Sequence, residues 1–269
     1  MNPYIIIIVV ALMLGIVFCF KVFTAWGARW GATPAECARR LTGDAYLEGG
    51  PAARVSMTRA ISLKQPPEMV WLWLVQLGRG GGWYSYDRLD NGGKASARHL
   101  VSWIPAPQLG DATVIGYLRY LEPGRELVWW HGGIEWLGSR ARMVFDMLVE
   151  PQDGGSRLVM RISGDFAGPT ARLALGLFQV IDTIMARRQL LGIKERVETY
   201  GARSEDPDHL ENGGPDQYQS FLVIYASGKI AGSRNQEEVS LCRQMAIKDK
   251  ILVNSTDREI GNVRKRVKS

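Results

Sequence analysis

Between residues 54 and 201 the spacing of hydrophobic and polar positions changes period in an informative order. Val55, Met57, Ile61 and Leu63 share one face of an alternating run, which predicts a strand. Pro66-Pro67 ends that run and opens a helix over 68–77, where Val70, Trp71, Leu74 and Leu77 recur at helical spacing. The glycine-rich stretch 78–82 must then be a loop. Four more strands are predicted over 113–121, 126–131, 141–150 and 156–163. Turn-forming residues at 122–125 and 151–155 separate neighbours, the mark of an antiparallel meander. A long helix over 169–200 closes the order. Its Leu173, Leu177, Val180, Ile181, Ile184 and Leu191 make one apolar stripe, expected to face the sheet, and Gly201 is placed to cap it. The predicted class is α+β, an antiparallel sheet wrapped on a long C-terminal helix.

Ahead of this domain the pattern is different. Residues 4–20 carry no charge, and as a helix the run 4–23 would be about 30 Å long, the thickness of a bilayer's hydrocarbon core. Lys21 can snorkel, and Trp26 and Trp30 follow where an interfacial belt belongs. A cleaved signal peptide needs a basic segment ahead of its apolar run, and none precedes Tyr4. Cys19 follows bulky Phe18, which excludes a lipobox. The run therefore reads as an uncleaved transmembrane anchor. Lys21, Arg29, Arg39 and Arg40 all follow it, which places the following domain in the cytoplasm. Thr33, Pro34 and Glu36 spell a capping box for a short helix, read as a spacer between anchor and domain. The expected organisation is an anchor over 1–30, a short helix and linker over 31–53, the domain over 54–201, a polar linker over 202–216, a partly helical segment over 217–260 and a basic tail over 261–269.

Composition adds limits. The 269 residues are 46% apolar, enough to bury a core without staples. Basic residues number 33 and acidic ones 27, a net +6, but Arg264, Lys265, Arg266 and Lys268 alone supply +4. The rest is nearly balanced, and no nucleic-acid partner is expected. Cys19, Cys37 and Cys242 form no disulfide framework, and His99, His131 and His209 fit no metal-binding spacing. No metal or cofactor is expected.

Two segments carry a resemblance to a known family. The run 61–74, ISLKQPPEMVWLWL, resembles the opening of START-like proteins, the polyketide-cyclase/dehydrase and lipid-transport superfamily (SRPBCC). The run 78–91, GRGGGWYSYDRLDN, is similar to a segment of a bacterial, often membrane-anchored branch of it, as are the turns at 109–111 and 121–128. The resemblance covers roughly residues 30–200. It implies the helix-grip fold, with a cavity between sheet and long helix used across the family for lipids, hormones and polyketides.

Candidate binding residues follow. Trp83, Tyr84, Tyr86 and Asp87 adjoin the glycine loop, which reads as a flexible lid at a cavity mouth; core packing is the alternative for the aromatic rings. Trp129 and His131 share one strand face, and Leu177, Ile181 and Ile184 lie on the helix stripe. Arg119, Arg142, Asp146 and Arg161 would either orient a ligand or form an ion-paired outer face. The glycine loop lacks the Lys-Ser/Thr of a phosphate loop and follows a helix, which argues against a nucleotide. No triad and no carboxylate pair is spelled out. The expected partner is an apolar small molecule, with the bilayer as a second. A cyclase/dehydratase enzyme and a structural or interaction module remain open, and the oligomeric state is not legible.

Overall fold

The computed structural model describes residues 3–47 and 53–204. The chain divides into two units, Met1–Pro215 and Asp216–Ser269, and all described residues belong to the first. The segments expected over 217–260 and 261–269, and the linker beyond residue 204, lie outside the described residues.

Six antiparallel strands form one sheet. They are β1 (Ala53–Leu63), β2 (Ala112–Thr113), β3 (Gly116–Glu122), β4 (Glu126–Trp136), β5 (Ser139–Gln152) and β6 (Gly155–Ala167). The spatial order is β1-β6-β5-β4-β3-β2, so the predicted meander is present and the first strand pairs with the last. The β4 strand outruns its predicted end at His131. A register shift between His131 and Ile134 absorbs Gly132 and Gly133 as a bulge, and pairing resumes beyond it. Partners across the ladders set the concave row Leu118, Trp129, Phe145, Ile162 and Met57. The remaining helices of the domain are α2 (Pro34–Ala38), α3 (Pro67–Leu74), α4 (Asp87–Asp90) and α5 (Ala171–Ser204). This is an α+β fold of the helix-grip kind, with α5 across the concave face and one N-terminal apolar helix in front.

The orientation of α5 corrects the sequence reading. Ala174, Ala186, Leu190, Ile193 and Val197 are buried, whereas Leu173, Leu177, Ile181 and Ile184 are 62, 42, 46 and 47% exposed. Small alanines let the helix approach the sheet, and the large aliphatic side chains point outward. Hydropathy selects the stripe with the bulkiest side chains, and in the first half of α5 that stripe is the outer one. The helix also passes through Gly201 to Ser204, so Gly201 is not its cap.

Residues 31–47 are a cover for the convex face, where a spacer was expected. The capping box is present: Glu36 N–H donates to Thr33 Oγ1 at 3.2 Å, and Thr33 N–H to Glu36 Oε2 at 2.6 Å. Leu41 packs on Ala60, Leu148 and Val159, and Leu47 on Val128 and Val144. Arg157 grips Glu36 and holds its carboxyl down at about 2. Arg161 donates to Asp44, to Thr58 and to the carbonyls of Glu36, Cys37 and Arg39. Beside it, buried Asp146 accepts from Gly43 N–H at 2.8 Å, and Glu126 accepts from the Thr42 hydroxyl at 2.9 Å. Burial, and then the charge of Glu126, push Asp146 up to about 8.

The helix α1 (Pro3–Gly27) has length and mean hydropathy enough to cross a membrane, and its residues from Pro3 to Val22 are exposed. Its last turns lie beside α5. A Cβ on Gly27 would stand 2.1 Å from Thr183 Cγ2, so only glycine permits this approach. Phe20 meets Gly176 one step earlier, which makes the two helices run parallel.

Asp146 makes stability depend on pH in a defined direction. The unfolded chain releases this proton near 3.8, while the folded chain keeps it to about 8. Stability from this group is therefore complete below about pH 4 and is lost as pH rises through 8. Asp146→Asn, whose amide oxygen can still accept from Gly43, should flatten that decline. Melting scans should show the variant more stable than the parent at pH 9 by several °C, with the difference shrinking toward pH 5.

Candidate ligand cavity

A cavity lies between α5 and the concave face, in two lobes that share Val114, Ile115, Phe145, Ile162 and Asp182. One lobe, about 220 Å³, continues along Ile134, Ala141, Met143, Phe166 and Phe178. The other, about 430 Å³, reaches Trp83, Ser85, Leu89, Asp90, Met185 and Gln189. Such volumes and linings suit a small apolar ligand. Leu89 and Val114, 76 and 79% exposed, stand at the rim.

The polar groups on this wall were not legible in the sequence. Arg59, on the concave face of β1, is 0% exposed. Its guanidinium donates to Asp182 at 2.6 Å and to the Gly27 carbonyl at 2.6 Å, with a longer contact to Thr183. Burial raises the Asp182 carboxyl, and the arginine opposes that shift. Asp90 is the less satisfied carboxyl. Both its oxygens are buried without a hydrogen-bond partner. Burial pushes it above the usual carboxylate range and the charge of Asp87 adds to this; the Tyr86 backbone and Ser85 oppose the shift from outside good hydrogen-bond geometry. Gln189 spends its amide N–H on the Trp83 carbonyl at 3.0 Å. The cavity thus holds one neutralised carboxylate and one carboxyl free to accept or donate.

Of the sequence candidates, Trp83 lines the larger lobe. Trp129 faces the concave side beside Phe145 and is buried in the sheet's own packing. His131 falls on the same side of β4 and receives a long contact from Gly133 N–H at 3.4 Å. Tyr84 sits in the core: its hydroxyl accepts from Gln76 Nε2 at 2.6 Å, its ring meets Trp73, and Arg196 stacks over it. Its carbonyl approaches α5 so closely that a Cβ on Gly192 would stand 2.0 Å away. Tyr86 is exposed, and Asp87 anchors the loop by accepting from the Ser96 hydroxyl at 2.5 Å and from Ser96 N–H at 3.0 Å. Leu177, Ile181 and Ile184 face outward, and their neighbours Phe178, Asp182 and Met185 face the cavity. The stripe was assigned one residue out of phase.

The glycine loop is a packed turn. Gly78 N–H donates to the Gly82 carbonyl at 2.9 Å, Gly81 N–H to Gln76 at 3.2 Å and Ala97 N–H to Gly81 at 2.8 Å. Gly81 and Gly82 are buried, which does not fit the expected lid. Arg119, Arg142, Asp146 and Arg161 serve the outer face. Arg142 pairs with Asp165 and Arg119 lies 5.1 Å over Trp130.

No protein-family model matches the chain, and no curated protein matches it. Solved structures align with about half its length, at TM-scores below 0.5. The di-domain ARO/CYC BexL from the BE-7585A biosynthetic pathway is 14% identical at a TM-score of 0.35, covering 57% of this chain and 53% of that one. Ara h 8.0201 is 12% identical at 0.33, covering 55 and 99%. Protein MLL2253 from Mesorhizobium loti is 15% identical at 0.34, covering 54 and 98%. Likeness at this level leaves the function of the chain to be argued from its own cavity.

The Arg59–Asp182 pair sets a stability test. Arg59→Met strands a buried carboxylate and should cost about 3–5 kcal/mol in chemical unfolding. Adding Asp182→Asn should recover part of that loss. Equal losses in the single and double variants would show that the arginine does not act through Asp182.

Proposed function

We propose that this protein binds an apolar small molecule carrying a hydrogen-bonding polar end, in a cavity held at a membrane by α1. The observation that carries the reading is the apolar two-lobed cavity with the unpartnered Asp90 carboxyl on its wall. A buried polar group without a partner costs free energy, so a ligand that satisfies Asp90 gains from a site already desolvated. Lipid, isoprenoid and polyketide-like molecules with a hydroxyl meet this description. The tether is supported by α1, whose apolar residues from Tyr4 to Val22 are exposed among the described residues. The basic residues after it favour the cytoplasmic side for the domain. Membership of the START-like superfamily, in its membrane-anchored branch, is the family reading consistent with this arrangement.

A second reading, an acid–base enzyme acting on the same ligand, is favoured by Asp90 holding its proton above the usual range beside the cavity. The two readings part on one assay: a binder releases its ligand unchanged, and an enzyme releases a product.

The binding reading is tested with a fluorescent long-chain alcohol and the matching probe that ends in a methyl group. The parent protein should prefer the alcohol. Asp90→Leu should weaken alcohol binding about tenfold, in line with one lost hydrogen bond in a dry site, and should not weaken binding of the methyl-ended probe. Ile115→Trp, which fills the space shared by both lobes, should abolish binding of both probes with the melting temperature maintained. Unchanged affinity in a folded Ile115→Trp protein would remove this cavity as the binding site.

A further inference from the structure

The outer face of α5 is left unexplained by the cavity. Leu173, Leu177, Ile181 and Ile184 form a continuous exposed ridge on a helix that carries only Arg172 and Asp182 as charges between residues 171 and 186. A surface helix normally turns polar side chains to water, and one that is apolar on its outer face as well needs another apolar environment. Its position beside α1 identifies that environment.

The two helices are in register. Phe20 meets Gly176 and Gly27 meets Thr183, the same seven-residue step on each, so they run parallel and side by side. Extending that register brings Leu173 level with Val17, Leu177 with Lys21 and Ile181 with Ala25. The start of α5, Ala171, falls level with Gly15, and the part of α1 beyond it, residues 3–14, is about 18 Å long. A span of that length reaches little more than half of a hydrocarbon core about 30 Å thick. For α1 to cross the bilayer, the first turns of α5 must enter the near leaflet with it.

The neighbourhood of these turns matches. The β4–β5 turn is tied to the start of α5: Thr170 Oγ1 donates to the Leu137 carbonyl at 2.5 Å and meets Ser139 Oγ at 2.8 Å. Leu137 is 48% exposed at the tip. Arg140 and Arg172 are both exposed; Arg172, level with Ile16 in this register, has a stem long enough to turn its charge back toward the headgroups. The smaller lobe of the cavity is bounded here, by Phe178 on α5 and Ile134 on β4.

We propose that the outer ridge of α5, with the β4–β5 turn, is a membrane-inserting surface that seats the domain in the near leaflet beside α1 and opens the cavity toward lipid. This rests on the tethering of α1. The ligand then moves between bilayer and cavity without crossing water, and Leu177 and Ile181 act on exchange through the lipid contact and not through the ligand.

The full-length chain, with Cys19, Cys37 and Cys242 replaced by serine, is labelled with an environment-sensitive fluorophore at single cysteines introduced at Leu12, Leu173, Leu177 or Thr199. It is reconstituted in phosphatidylcholine vesicles with spin-labelled lipid as quencher. The label at Leu173 should be quenched to within about twofold of the label at Leu12, the label at Leu177 less strongly, and the label at Thr199 not at all. Quenching at Leu12 alone would overturn the inserted ridge and leave the tether standing, whether water, a second copy or the chain's own residues beyond 204 cover the ridge. No quenching at Leu12 would overturn the tether and the ridge with it. In the same vesicles, Leu177→Gln combined with Ile181→Gln should slow uptake of the fluorescent alcohol from lipid by about tenfold, with its affinity in detergent unchanged. Equal uptake rates in the parent and the double variant would also overturn the proposal.

Discussion

Arg59 is the residue on which the arrangement depends. A guanidinium taken fully out of water is stable only with its donors engaged, and here they are engaged by two other parts of the chain, so that three elements meet at one side chain. It belongs to β1, it accepts its counter-charge from α5, and it ends the carbonyl ladder of α1 at Gly27. A charge so placed penalises every alternative packing in which one of those partners moves away. The distance from the sheet to α5, and with it the width of the cavity, is held by the same contact that holds α1 against the domain.

The legible part of the fold was the part written in period and punctuation. Alternation in β1, the turns at 122–125 and 151–155, and the capping box at Thr33 and Glu36 each arise from short-range chemistry, and each appears where expected. The long helix was found by its period and mis-set by its phase. Leu177, Ile181 and Ile184 outweigh Ala174 and Ala186 on any hydropathy count, yet alanine is what a close helix–sheet approach selects. Phase in a helix with two apolar faces is decided by shape, which a single sequence does not display.

The polar chemistry was hidden for a related reason. Asp182 interrupts the apolar run of α5 and reads as a surface residue until Arg59, 123 positions earlier, is brought to it. Asp90 ends a short polar stretch, and only the neighbouring α5 and β2–β3 connection bury it. The cavity aromatics were half legible: Trp83 reaches the lobe, while Tyr84, one position later, turns into the core with a backbone φ of 59°. For Asp146 and Arg161 the sequence left a ligand-orienting role and an ion-paired outer face both open; they lie on the convex face, and their burial beneath residues 36–47 was not foreseeable from alternation alone.

The contact of Gly27 with Thr183 has a mechanical consequence. Most membrane-held domains hang from a flexible leash, whose length sets how far they sweep and how dilute they are toward a target. Here helix runs into domain through a glycine pressed against α5, with the first strand bridged to the same point by Arg59. The domain is a head fixed to α1 at one azimuth. With α1 in a bilayer, as proposed, the cavity keeps one depth and one tilt relative to the membrane, so access to it is set by rotation about the α1 axis and not by the sweep of a linker.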